Sequence, residues 1–241
     1  MQEEKSYLGQ PLRQQYQTLL ILETYILTID TTTARCSIGL TRNAHTWILR
    51  ELDQHNGHAQ YSTLFIQEVL RTAGLTLADV SAVAVSRGPG SYTGLRIGAS
   101  TAKGLCYALG KPLLAVDTLQ ALAWAAQQEQ QLLPPKAGIY ASVLDARRQD
   151  AYVGLYDLAL QPLAAPYFAT LTAAHAAEIA ARYQVDHLYI AGDAVGKWLA
   201  AGSANLVDTG IHAPSARYLS ALAMEAWRQK AWQDVAYFEP F

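Results

Sequence analysis

The stretch 86–105, SRGPGSYTGLRIGASTAKGL, decides how the rest of the chain is read. An apolar run, Val80 to Val85, precedes it and reads as a buried strand, and a helical pattern over 95–109 comes after it. Between them, Gly88, Gly90 and Gly94 fall within seven residues. Glycine lets a backbone turn sharply or approach another surface closely. A strand that feeds such a loop and then a helix aims amide N–H groups and the positive helix end at one spot. Yet the loop departs from both familiar phosphate cradles. Gly94 is followed by Leu95 and Arg96 instead of a lysine and a hydroxyl residue, and the last gap is one residue too long for G-x-G-x-x-G. A plain, tight strand-to-helix turn is the simplest alternative.

The helix after the loop is rich in small residues. Gly94, Gly98 and Ala102 lie four apart, and Ser100, Gly104 and Ala108 repeat that spacing on a neighbouring row. Residues four apart share a helix face, and a face this small admits another helix closely. Each internal glycine costs roughly 1 kcal/mol of helix propensity, so a contact must favour it. That contact is either the chain's own core or a partner helix. An amphipathic segment, Ala59 to Ala73, carries Tyr61, Leu64, Phe65, Val69 and Leu70 on one side and stops at Gly74. The partner reading takes both helices as the main docking surface, with Tyr61, Leu64, Phe65, Val69, Gly94, Arg96, Gly98 and Ala102 in contact. Two copies of the chain would then pair as an isologous homodimer when no other partner is present.

The chain has 241 residues, 51% hydrophobic and 16% charged, enough for one large or two small cores. Its net charge of −2 gives no footprint for strong nucleic-acid binding. No apolar run approaches the ~20 residues of a membrane span. The two cysteines, Cys36 and Cys106, fall in a predicted strand and a predicted helix and read as buried, reduced thiols of a cytoplasmic protein. Residues 1–24 are polar and Gln-rich apart from four aliphatics at 19–22, and are expected to be a disordered or loosely attached extension, or an over-extended translation start.

A repeat is visible in two hairpins. LTID at 27–30 and SVLD at 142–145 are each followed, nine positions after the aspartate, by a Gly-Leu pair, Gly39-Leu40 and Gly154-Leu155. Both copies read as strand, Asp-bearing turn, strand. The first continues with a turn at Asn43-Ala44, a strand at 47–52, the helix at 59–73, the strand at 80–87, the helix at 95–109 and a strand at 113–116. The second continues more loosely, with strands near 138–145, 150–157 and 187–191 and helices near 172–183, 193–201 and 215–232. Two copies of a meander followed by alternating helices and strands imply two facing α/β domains. The expected division is an N-terminal domain at 25–126, a linker at 127–137 broken by Pro134 and Pro135, and a C-terminal domain at 138–241.

Such duplicated domains resemble the actin, Hsp70 and sugar-kinase superfold. The resemblance implies that the turns of the two first hairpins face nucleotide phosphates. Here those turns are Asp30 with Thr31, Thr32 and Thr33, and Asp145 with Ala146 and Arg147, while Gly192-Asp193-Ala194 stands where an adenosine-side turn would be. An Asx or Ser/Thr turn that merely caps a hairpin accounts for the same residues. Weak ATP or ADP binding is the expectation, since Arg147 and Arg148 are the only clear phosphate-binding charges in the second turn.

Three stretches narrow the resemblance: ILTIDTTTARCSIGL at 26–40, NGHAQYSTLFIQEVLRTAGL at 56–75 and VAVSRGPGSYTGLRIGASTAKGLCYALGKPLLAVDTLQALA at 83–123. Their order and spacing resemble the TsaB (YeaZ) family over about residues 25–241. The resemblance implies a non-catalytic, cytoplasmic subunit of bacterial tRNA threonylcarbamoyladenosine synthesis. It would partner the paralogous transferase TsaD, be joined by the ATPase TsaE, and meet tRNA only through the complex. In TsaD a helix after the equivalent strand carries H-x-E-G-H, whose two histidines hold a metal. The matching segment here is Thr118-Leu119-Gln120-Ala121-Leu122, and Leu122 cannot ligate, so no metal and no catalytic residue are expected. His55 and His58, three apart before the first helix, are the leading leftover candidates and read as surface. Relatives usually continue past a terminus like Ala236 to Phe241 with a short strand and tail, so contacts made there are in doubt. The rival functions are an ATP-dependent transferase or kinase of the same superfold, and an M22-type glycopeptidase. The first lacks an evident catalytic base, and the second lacks metal ligands or a paired nucleophile.

Overall fold

The computed structural model describes residues 23–54, 57–130 and 137–241. Two hairpin-led sheets carry the fold. The first begins with the meander β1 (Tyr25–Asp30), β2 (Arg35–Arg42) and β3 (His45–Asp53). The β2–β3 turn places Asn43 and Ala44 at positive φ, as a tight two-residue hairpin requires. Helix α1 (His58–Ala73) comes next and stops at Gly74, whose φ of 68° supplies the left-handed cap. Then come β4 (Ala82–Ser86), α2 (Tyr92–Leu109), β5 (Leu113–Val116) and α3 (Thr118–Gln130). The second sheet is built from β6 (Gly138–Asp145), β7 (Asp150–Tyr156), β8 (Tyr167–Thr170), α4 (Ala173–Tyr183), β9 (His187–Ala191), α5 (Val195–Ala200) and β10 (Leu206–Asp208). Helix α6 (Ala216–Arg228) and β11 (Trp232–Gln233) close the chain.

The strand orders are β11-β5-β4-β1-β2-β3 and β10-β9-β6-β7-β8. In each sheet the first hairpin strand pairs antiparallel with the second and parallel with a strand reached through a helix. The duplication read from the two Asp-to-Gly spacings is therefore a duplication of topology, and the architecture is a doubled α/β fold with two mixed sheets.

The layers alternate. Helices α1 and α2 cover one face of the first sheet, over a core that includes Leu27, Ile29, Phe65, Val69, Ala102 and Cys106. On its other face Leu219, Ala223 and Met224 of α6 meet Ile26, Ala84 and Leu114. Leu119, Leu122 and Ala126 of α3 pack on the inner face of the second sheet against Tyr140, Leu144 and Tyr156. Helices α4 and α5 cover that sheet's outer face, with Trp198 wholly buried. Each such fully buried large side chain is worth roughly 1.5–3 kcal/mol.

Two domain expectations are corrected. The span 138–241 does not stay with the second sheet, because the apolar side of α6 fills the inner face of the first sheet and β11 pairs with β5. The linker cannot begin at 127 either, since α3 runs to Gln130. Residues 131–136 of that linker, and 1–22 of the N-terminal extension, lie outside the described residues. Among the described residues no helix is long and apolar enough to cross a membrane.

Candidate functional site

The loop 87–94 and the first hairpin turn are built against each other. Asp30, at the end of β1, is 1% exposed. Its carboxylate accepts from the Thr32 amide at 3.0 Å, the Thr32 hydroxyl at 2.7 Å and the Ser86 hydroxyl of β4. Burial pushes this carboxyl above its ordinary range, against the pull of those donors. The Thr31 hydroxyl donates to the Gly94 carbonyl at 2.7 Å, and the Ser91 amide donates to the Thr32 carbonyl at 2.7 Å. His58, at the start of α1, donates from Nε2 to the Thr33 carbonyl at 2.7 Å.

This closure explains the glycines. A side chain at Gly90 would come within 2.6 Å of the Thr32 carbonyl oxygen. A methyl at Gly94 would overlap the Thr31 carbonyl, and one at Gly98 would overlap the Thr31 hydroxyl. The row Gly94, Gly98, Ala102 thus lets α2 lie against the chain's own β1–β2 turn and sheet. As a partner-facing row it is corrected, because all three residues are buried. Phe65 and Val69 are likewise core, at 8% and 0% exposed. Of the predicted contact residues, Leu64 and Arg96 face outward and Tyr61 is half-buried, its ring 5.7 Å from that of Phe65. The neighbouring row Ser100, Gly104, Ala108 is the exposed one, and nothing lies within 4 Å of a side chain added at Gly104. Tyr92 and Tyr107 stand out of the same helix at 71% and 86% exposure, with the Arg96 guanidinium over the Tyr92 ring.

The phosphate-facing expectation divides between the two turns. Asp30, Thr31 and Thr32 are buried and their side chains are engaged within the turn and with Ser86 and Gly94, so the first turn offers no open seat. The second turn is open. Asp145 Oδ1 accepts from the Arg147 amide at 2.6 Å and pairs with Lys197 at 2.7 Å. Arg147 and Arg148 are exposed and held at positive φ. The Asp145 amide donates to Asp193 Oδ1 at 2.7 Å. Asp193 reaches the surface, but its carboxyl is lodged behind the Asp145 backbone, and that desolvation pushes it up to about 6. Asp145, Arg147 and Asp193 are legible in the sequence as turn residues. Lys197, one turn into α5, is not, and neither is Ser86, whose only sequence signal is its place at the end of a buried strand.

At the positions that the resemblance to TsaD matched with its two histidines, Thr118 accepts from the Gly88 amide at 3.2 Å and returns its own amide to the Gly88 carbonyl at 3.1 Å. Leu122 is wholly buried against the second sheet. His58 is not surface as expected: it is buried and spent on Thr33, while His55 lies outside the described residues. Burial pushes the Cys106 thiol up to about 11 and raises that of Cys36, so neither is a ready thiolate. A cavity of about 930 Å³ opens between the sheets, lined by Arg87, Asp117, Gln120, Tyr156 and Glu225 among others, with Arg87 and Asp117 paired at 3.1 Å. The terminal segment also spans the two halves. Lys103 holds the carbonyls of Ala236 and Phe238, the Phe241 amide donates to the Arg87 carbonyl, and the Phe241 ring meets Tyr152 of β7 edge-on.

Known proteins share this architecture and parts of this sequence. The family described as TsaD, tRNA N6-adenosine threonylcarbamoyltransferase, matches residues 53–168. The tRNA threonylcarbamoyladenosine biosynthesis protein TsaB of Escherichia coli is 38% identical over 136 residues, 54% of this chain and 54% of its own length. Its Haemophilus influenzae counterpart is 35% identical over 127 residues, 53% of this chain and 51% of its own. The chain thus spans about half the length of the curated relatives it matches. The solved structure of YeaZ from Pseudomonas aeruginosa superposes with a TM-score of 0.74 at 27% identity, covering 90% of this chain and 99% of that one.

Proposed function

As this chain belongs to the TsaB (YeaZ) family, related to TsaD, we propose that it is a non-catalytic, partner-binding subunit of the pathway that makes N6-threonylcarbamoyladenosine in tRNA. The observation that carries this is the outward row Ser100, Gly104 and Ala108 on α2, together with exposed Leu64 of α1. Small residues admit a facing helix, and the exposed aromatic and aliphatic side chains around them can anchor it. The partner is a TsaD-like paralogue with a matching helix pair, and a second copy of the chain competes for the same face. TsaE joins the assembly, tRNA meets it only through the complex, and the setting is the cytoplasm. The non-catalytic part draws support from Thr118 and Leu122, which are spent on Gly88 and on the core. Nucleotide binding by the second turn is weak in this reading, because the first turn gives no phosphate seat.

Co-expression with the TsaD paralogue tests the proposal. Gly104→Leu has open space around it and should leave the fold intact while abolishing the heterodimer on size exclusion. A folded Gly104→Leu variant that pairs as well as wild type would overturn the assignment of this face. Modification activity from this chain without TsaD would overturn the non-catalytic role and favour the transferase alternative.

A further inference from the structure

A second cavity, of about 430 Å³, lies between the β2–β3 turn, α3 and the first turns of α6. It sits at the opposite end of β2 from the Asp30 turn. Trp47, Trp124 and Tyr218 supply three rings, and His45, Arg217 and Gln128 supply polar groups. Among the described residues none that lines it is acidic, whereas the larger interlobe cavity carries Asp117 and Glu225. Among the described residues, neither Arg217 nor His45 forms an ion pair. Arg42, already paired with Glu23, sits 5.3 Å from the centre of the Trp47 ring. The carboxylate of Glu51, further along β3, is engaged by the hydroxyls of Ser37 and Ser215.

The wall is held rigid. The Thr46 hydroxyl donates to the Arg217 carbonyl at 3.1 Å and lies 2.6 Å from that of Ser220, which lies 2.7 Å from that of Thr41. The turn of one sheet edge and the helix that carries Arg217 are thereby tied together. Trp47 is nevertheless 42% exposed.

Aromatic walls, an arginine and a histidine with no ion-pair partner among the described residues, and no described acid in a cavity of ligand size suit a planar ring that carries negative charge. We propose that this cavity binds a single nucleotide, its base against the tryptophan rings and its phosphate on Arg217 and His45. The Gln128 amide, a two-sided donor and acceptor, is the group placed to read the base edge. This site is independent of the partner face on α1 and α2 and of the charged second hairpin turn.

The test is titration of the full chain with AMP, followed by tryptophan fluorescence and calorimetry, with adenosine, inorganic phosphate and a short single-stranded RNA as parallel probes. AMP should bind saturably, and adenosine or phosphate alone at least about tenfold more weakly. Arg217→Ala and Trp47→Ala, both at exposed side chains, should each weaken AMP about tenfold. His45→Ala, on the hairpin turn, should weaken it less, and Arg147→Ala, in the second turn, not at all. Circular dichroism checks that each variant is folded. Absence of saturable AMP binding would overturn the site, as would binding indifferent to both Arg217→Ala and Trp47→Ala, or binding lost with Arg147→Ala. RNA bound more tightly than AMP would overturn the single-nucleotide assignment.

Discussion

The two first-hairpin turns hold the same place in the two sheets and have opposite fates. In the first, Asp30 is buried and accepts three hydrogen bonds from Thr32 and Ser86. In the second, Asp145 is exposed and shares its carboxylate between the Arg147 amide and Lys197. The difference comes from the segment after the parallel strand of each sheet. After β4, a glycine loop and the 18-residue α2 press onto the first turn and expel solvent. After β9, Gly192 passes close to the Val143 carbonyl, but α5 is only six residues long and leaves Asp145 at the surface. Equal topology thus gives a structural joint on one side and a solvated charge cluster on the other.

The largest expected effect strikes the joint. Gly94→Ala should lower unfolding free energy by about 3 kcal/mol or more, since its methyl overlaps the Thr31 carbonyl and backbone must move. Urea denaturation reads it, and a loss under about 1 kcal/mol would show the joint to be soft. Asp30→Ala should cost about 3 kcal/mol, because it strands the Thr32 and Ser86 donors in the interior. Asp145→Ala should cost less than about 1 kcal/mol, as an exposed pair does. Equal losses at the two aspartates would erase the contrast.

A smaller effect is expected in the pH profile. The Asp193 carboxyl is raised from 3.8 to about 6, so between those values the folded chain holds a proton that the unfolded chain has released. Stability from this group is therefore present below about pH 4 and lost as pH rises toward 6. Asp193→Asn should flatten that slope in thermal melts taken from pH 4 to 7, and an unchanged slope would assign it elsewhere. The smallest effect belongs to Arg148, an exposed residue at a φ of 49°. Arg148→Gly relieves left-handed strain while loosening the unfolded chain, for a net change within about 0.5 kcal/mol. A comparable Gly→Ala change at Gly90 should be severely destabilising, which again separates the two turns.

What the sequence determined by itself was local and periodic. The apolar runs, the Asp-bearing hairpins, Gly74 as a helix stop and the strand–loop–helix at 80–109 all appear where their patterns put them, because backbone geometry and side-chain alternation act within a few residues. The doubled topology was legible for the same reason, as two equal spacings from aspartate to Gly-Leu. Tertiary structure decided what periodicity leaves open. Two rows of small residues run along α2, and nothing in their spacing says which meets the sheet. The position of the Thr31 carbonyl and hydroxyl settles it, taking Gly94, Gly98 and Ala102 inward and leaving Ser100, Gly104 and Ala108 outside. In the same way, the amphipathic pattern of 216–228 establishes that a face must be buried but not against what. Chain order suggested the second sheet, and the open inner face of the first sheet, together with the pairing of β11 with β5, took it instead.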